Sequence, residues 1–128
     1  MRNEIVLQKE EYNLFKVDSG FYFTPANWKQ YRIGFAFDSS GLKDFYYGIC
    51  RIDWNIGMTK DEIERQTPKL SFMNDGANDK WPRCKYFESE YRNWDNKLVW
   101  EAIDNGEMKK LIKSKVEEIL NNTNGTEL

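Results

Sequence analysis

Tyr31-Arg-Ile-Gly-Phe-Ala-Phe-Asp38 alternates large apolar residues with smaller or polar ones. Tyr31, Ile33, Phe35 and Phe37 share one side of an extended chain, and Arg32, Gly34, Ala36 and Asp38 share the other. A period of two marks a β-strand, because successive side chains point to opposite faces. Asp38-Ser-Ser-Gly-Leu42 then supplies residues that favour turns. In the next run, Phe45, Tyr47 and Ile49 fall on one side and Tyr46, Gly48, Cys50 and Ile52 on the other. Both sides are apolar, which predicts a central strand covered on both faces. Gly34 and Gly48 lie inside these strands, where a missing side chain predicts close approach of a helix or an aromatic ring.

Working outward, Glu4 to Gln8 is a short apolar run. Tyr12–Val17 and Phe21–Thr24 flank Asp18-Ser-Gly20, which predicts a hairpin that Pro25 ends. On the other side the pattern changes. Thr59-Lys-Asp-Glu62 is a capping box opening a short helix to about Gln66, stopped by Thr67-Pro68. Lys69 to Lys80 is polar and turn-rich and reads as a surface loop. Cys84 to Glu88 reads as one more edge strand. Asp95 is an N-cap candidate for a helix whose apolar face is Leu98, Val99, Ala102 and Ile103, with Gly106 as its stop. A last helix carries Met108, Leu111, Ile112, Val116, Ile119 and Leu120 at spacings of three and four.

Strands first and helices last predict an α+β fold, a mainly antiparallel sheet from the N-terminal half packed against C-terminal helices. The length of 128 residues predicts one domain over residues 1–120, with 121–128 as a flexible polar tail.

Charge and composition exclude some partners. The formal net charge is −2, which does not suit a protein that grips nucleic acid mainly through phosphates. No apolar run approaches the roughly 20 residues of a membrane span, and no secretion signal opens the chain. A cytoplasmic protein with no membrane partner is expected. Cys50 and Cys84 are then expected as reduced thiols. Cys84 lies between Arg83 and Lys85, which would favour its thiolate, but a structural or incidental role is the favoured reading.

The chain contains no histidine. That excludes Ser–His and Cys–His nucleophile systems and leaves two cysteines, too few for a structural zinc site. Glycine-rich phosphate loops are absent. A metal-dependent nuclease needs carboxylates on neighbouring strands with a nearby lysine, and no such set stands out. Asp38 and Asp44 read as turn and strand-end residues. Asp53, at the end of an apolar strand, is the best lone acid. No catalytic residue, metal ligand or cofactor is expected.

Trp81-Pro-Arg-Cys-Lys-Tyr-Phe-Glu-Ser-Glu-Tyr-Arg-Asn-Trp94 packs five aromatics and three cations into fourteen residues. Two functions suit that composition. It could be a recognition surface formed by Trp81, Arg83, Lys85, Tyr86, Tyr91, Arg92 and Trp94, since Arg and Trp dominate binding hot spots and aromatics beside cations stack bases. Or it could be a clamp, with rings pinning an irregular stretch to the sheet and Arg satisfying backbone carbonyls. The clamp is the favoured reading. Trp28-Lys-Gln-Tyr-Arg32, with Tyr46 and Tyr47, forms a second aromatic cluster, expected in the core.

Tyr47-Gly-Ile49, then Trp81-Pro-x-x-Lys-Tyr-Phe-x-x-x-Tyr-Arg-Asn-Trp94, then a helix ending at Gly106-Glu107 and a final amphipathic helix resemble the C-terminal part of bacterial PD-(D/E)XK nuclease-superfamily proteins. The resemblance covers roughly Trp28 to Leu120. It implies a piece that packs beside a nuclease core, in a nucleic-acid-processing or mobile-element setting. The nuclease signature of that family lies upstream of the matching region, so no catalytic residue carries over. The expectation is a non-catalytic accessory or recognition domain with a protein partner, nucleic acid being disfavoured by charge. Two alternatives stand beside it: a small phage or plasmid protein that binds and inhibits a host protein, and a degenerate or cryptic metal-dependent nuclease.

Overall fold

The structure is a computed structural model that describes residues 5–8 (backbone), 20–53, 59–124, 126 and 128. Five strands form one antiparallel sheet in chain order: β1 (Ile5–Gln8), β2 (Gly20–Pro25), β3 (Tyr31–Ser39), β4 (Lys43–Arg51) and β5 (Arg83–Tyr86). Four helices follow β4 in the chain: α1 (Lys60–Gln66), α2 (Ser89–Arg92), α3 (Lys97–Asp104) and α4 (Glu107–Asn122). The fold is α+β, as the order of patterns predicts. The expected hairpin strand at Tyr12–Val17 lies outside the described residues, and β2 pairs with β1 in the register Ile5↔Pro25 to Gln8↔Tyr22.

β3 and β4 set the frame. Their register aligns Phe37 with Phe45, Phe35 with Tyr47, Gly34 with Gly48 and Ile33 with Ile49. The large apolar residues of both strands therefore share one face. On it Phe35 stacks on Tyr47 at 5.9 Å, and Phe45 lies 4.4 Å from Phe87 between ring centres. Ile63 of α1 and Val116 and Ile119 of α4 close over these rings. Each fully buried ring or branched chain contributes about 1.5–3 kcal/mol relative to exposure, so this face holds most of the stabilising burial.

Local signals position the helices. Thr59 Oγ1 accepts the Glu62 N–H at 3.3 Å, as the capping box predicts. Asn96 caps α3 by accepting the Val99 N–H at 3.2 Å. The cap thus falls one residue after the expected Asp95, whose carboxylate pairs with Lys43 at 3.8 Å. Gly106 adopts φ 86°, a left-handed conformation open to glycine, and turns α3 into α4.

Two segments differ from expectation. Lys69–Lys80 is more than a surface loop: Leu70 and Met73 are fully buried. After a 3-10 turn at Pro68–Leu70, the chain runs along β5. Cys84 donates to the Met73 carbonyl at 3.3 Å, and Asp75 donates to the Cys84 carbonyl at 2.9 Å. The outer edge of β5 is thereby covered, which removes an exposed pairing edge. Local turn residues hid two buried side chains spaced three apart.

The second difference is the tail expected at 121–128. Helix α4 continues through Asn122, and Thr123 Oγ1 donates to the Ile119 carbonyl at 2.8 Å. Leu128 is buried, and its main-chain oxygen accepts from the Lys29 and Gln30 N–H groups at 2.8 and 3.1 Å. A single apolar residue at the end of a polar stretch finds the β2–β3 turn and docks there.

Candidate functional site

Small residues form the centre of the second face of the sheet, with Tyr22, Tyr46 and Tyr86 beside them. Gly34, Ala36, Gly48, Cys50 and Cys84 lie on it, and Trp81 covers them. The Trp81 ring meets Tyr46 edge-on at 4.7 Å. A Cβ at Gly34 would stand 2.5 Å from Trp81 Cη2, so the ring requires glycine there. At Gly48 a Cβ would stand 1.9 Å from the Arg83 carbonyl oxygen. The aromatic ring expected over these glycines is found at Gly34; at Gly48 the close neighbour is the backbone of β5. Asn78 fixes the approach of Trp81, its Oδ1 accepting the Trp81 N–H at 2.9 Å.

Arg83 points to the helix-covered face and is 4% exposed. Its Nε donates to Thr67 Oγ1 at 3.0 Å, and its Nη2 donates to the Thr67 and Glu64 carbonyls at 2.9 and 3.2 Å. These are the carbonyls left over at the C-terminal end of α1. Burial lowers the pKa of Arg83, with the Glu64 charge opposing. Trp94 closes the other end of the segment. Its Nε1 donates to the Tyr91 carbonyl at 3.0 Å, and its ring packs 5.0 Å from Phe37 and 4.9 Å from Phe45. Tyr91 packs half-buried beside it. Trp81, Arg83, Tyr91 and Trp94 thus act as the clamp.

Tyr86 and Arg92 form a different group at the rim, and Lys85 lies on the opposite face of β5. The Arg92 guanidinium lies 3.8 Å from the Tyr86 ring centre, and its Nε bonds Asp44 Oδ1 at 3.2 Å. Tyr86 Oη donates to Asp38 Oδ2 at 2.9 Å. Burial and that bond raise the Tyr86 pKa. Asp44 sits at φ 57° and is held from three sides. Ser39 Oγ donates to its Oδ2 at 2.5 Å, Arg92 binds its other oxygen, and its own N–H donates to Asn93 Oδ1 at 3.0 Å. The Ser39 bond, then Arg92, hold its carboxyl below the usual range against the effect of burial. Lys85 extends over the Phe72 ring at 5.5 Å, and Phe72 is itself exposed.

Sequence reasoning missed Trp100, which is 50% exposed. Its Nε1 donates to the Trp94 carbonyl at 3.0 Å, and its ring stands edge-on to Trp94 at 6.0 Å. It falls off the apolar face of α3, and that misfit was the available signal. Leu98 and Ile103, placed on that face by spacing, are exposed; Val99 and Ala102 are the residues that bury.

The remaining candidates resolve as follows. Trp28 and Tyr31 are in the core. Asp53 is exposed beyond the end of β4, and Trp54 lies outside the described residues. Both cysteines are free and buried. Cys84 Sγ donates to the Asp75 carbonyl at 2.9 Å, and burial, with Asp75 and Asp38 adding, pushes its thiol up to about 11. The thiolate favoured by its two cationic neighbours is therefore not formed: alternation along β5 sends Arg83 and Lys85 to the opposite face. Tyr47 Oη donates to Glu118 Oε1 at 2.7 Å, and Lys115 bridges to Glu88 at 2.6 Å, joining α4 to the sheet and to the start of α2. Among the described residues, no three His, Cys, Asp or Glu side chains are grouped so as to hold a metal ion, and no helix is long and apolar enough to cross a membrane. No protein-family model matches the chain, and neither a curated protein nor a solved structure shows a match.

Proposed function

We propose that the chain is a non-catalytic recognition domain that binds a protein partner through the rim formed by Tyr86 and Arg92. The observation that carries this reading is the fixed posture of Arg92. Its guanidinium is laid on Tyr86 and tied to Asp44, while 41% of the side chain remains exposed. An arginine already ordered on an aromatic ring loses little freedom on binding, and such residues dominate protein interfaces.

The same geometry favours protein over nucleic acid. Of the three cations in the Trp81–Trp94 segment, Arg83 is spent on buried carbonyls and Arg92 is neutralised by Asp44. Asp38, Asp44 and Asp75 surround the rim, on a chain of net charge −2. A phosphate backbone would meet an acidic border there. The fitting partner presents an aromatic ring or a neutral carbonyl to the guanidinium, which an acidic border leaves accessible to uncharged groups. The resemblance of the segment to the C-terminal region of PD-(D/E)XK proteins supports a place beside a nuclease core in nucleic-acid processing.

The test is stoichiometric complex formation with a purified captured protein, compared between the native chain and Arg92→Ala. A one-to-one complex weakened about tenfold or more by Arg92→Ala, with the fold intact by circular dichroism, supports the reading. Binding to DNA that outcompetes protein, or Mg²⁺-dependent cleavage abolished by Asp38→Asn or Asp44→Asn, overturns it.

A further inference from the structure

Helix α3 carries its charges against its own dipole. Lys97 opens it, Asp104 closes it, no acidic residue stands in its first turn and no basic residue in its last. Cations at a helix start and anions at its end are each unfavourable. Lys97 is 88% exposed, and its link to Glu101 at 3.5 Å is a surface pair, worth little. The apolar side chains of α3 are arranged just as oddly, since Trp100, Leu98 and Ile103 are exposed at 50%, 57% and 40%.

The reversed charges and the exposed Trp100–Ile103 flank have one solution. Lys97 and Asp104 are seven residues apart, two turns, so they share the solvent face at a separation of about 10.5 Å along the axis. Their midpoint falls between Trp100 and Glu101. A second α3 laid antiparallel about that midpoint sets each Lys97 against the other Asp104 and opposes the two dipoles. The same arrangement brings the Trp100 and Ile103 flank of one helix against the same flank of the other, as a two-fold interface requires. Trp100 is already rigid there, its N–H spent on the Trp94 carbonyl.

We propose that α3 is a self-association surface whose occupant is a second copy of this chain, docked antiparallel through Trp100 and reciprocal Lys97–Asp104 pairs. This goes beyond the recognition rim and uses none of its residues. An eight-residue helix covers much less than the roughly 800 Å² per partner of a stable complex, so the dimer is weak and forms as concentration rises.

Sedimentation velocity from about 10 μM to about 1 mM, the range expected for a small interface, tests it. The native chain should shift from monomer towards dimer across that range, and Trp100→Ala should remain monomeric. Lys97→Asp should weaken association about fivefold, through lost and reversed charge pairs, while leaving the fold intact by circular dichroism, because the acid that now begins α3 offsets the lost pair with Glu101. Adding Asp104→Lys should restore the dimer. Weaker association with the fold retained, and its rescue by the second charge swap, separates an interface from a folding defect. A native chain that stays monomeric throughout, or association indifferent to Trp100→Ala or to the charge swap, overturns the proposal. Arg92→Ala leaves this assay unchanged, so the rim and α3 readings fail separately.

Discussion

The two faces of the sheet solve the covering problem in opposite ways. One face is paved with large residues, Tyr31, Ile33, Phe35, Phe37, Phe45, Tyr47 and Ile49, and helices with their own apolar stripes close over it. The other has Gly34, Gly48, Ala36 and two cysteines at its centre, flanked by Tyr22, Tyr46 and Tyr86, and Trp81 is brought down onto the glycines by an irregular segment. In the first case side chains fill the space between elements. In the second the space is nearly absent, because backbone and ring approach the strands directly. The lesson is that a sheet face poor in side chains asks for a particular residue elsewhere in the chain, whereas a face rich in them asks only for an amphipathic helix.

The largest effect should come from the first face. Phe35→Ala removes the ring that touches Phe21, Phe23, Phe45, Tyr47 and Phe87. It should cost about 3–5 kcal/mol, seen as a lowered midpoint in chemical denaturation with an unchanged slope. On the second face, Gly48→Ala should cost about 3 kcal/mol, because the new methyl meets backbone at β5 that cannot move alone. Gly34→Ala should cost less, about 1–2 kcal/mol, since the Trp81 ring can tilt. In a Trp81→Leu background the Gly34→Ala cost should fall by half or more. Equal costs in both backgrounds would show that Trp81 is not what reserves Gly34.

Arg83→Met tests the junction between the faces. It should cost about 2 kcal/mol, because the Thr67 and Glu64 carbonyls lose their donor in the interior. Hydrogen exchange should accelerate over residues 63–70 ahead of the rest of the sheet.

Two titrations sharpen the comparison further. The Cys84 thiol titrates from 9.0 in the unfolded chain to about 11 in the fold. Its folded value is raised, so its contribution is complete below pH 9.0 and is lost as pH rises through about 11. Alkylation of Cys84 in the native protein should therefore be slow at pH 8 and become rapid on unfolding. Asp44 works in the other direction. Its folded value lies below 3.8, so its contribution is complete above that pH and is lost as pH falls through the depressed value. Asp44→Asn should flatten this shallow acid limb, the smallest effect of the set, as read from the melting temperature between pH 5 and 2.

Legibility followed the same division. Alternation over Tyr31–Ile52 located β3 and β4, and the spacing of Met108 to Leu120 located α4, because periodic burial writes itself into local sequence. The capping box at Thr59 and the stop at Gly106 were equally plain. The clamp was legible in kind: Trp and Arg in an irregular stretch anchor it, and Trp81 and Arg83 do so. Phe72 and Trp100 were not anticipated as surface residues. Their exposure depends on which side of a turn and which side of α3 meets the body, and a one-dimensional pattern cannot weigh that. Cys84 shows the same limit, since neighbours in sequence lie on opposite faces of a strand.

The amino-acid sequence by itself determined the class of fold, the two central strands, both ends of α1, the turn between α3 and α4 and the lack of any histidine-based chemistry, because each depends on short-range periodicity or composition. The tertiary structure alone decided that Trp81 fills the place left by Gly34, that Arg83 of β5 caps α1, that residues 73–75 cover the edge of β5, that Leu128 docks, and that Arg92 and Trp100 are left partly exposed. Those outcomes turn on contacts between residues distant in the chain, whose energies exist only once the sheet has brought their partners within reach.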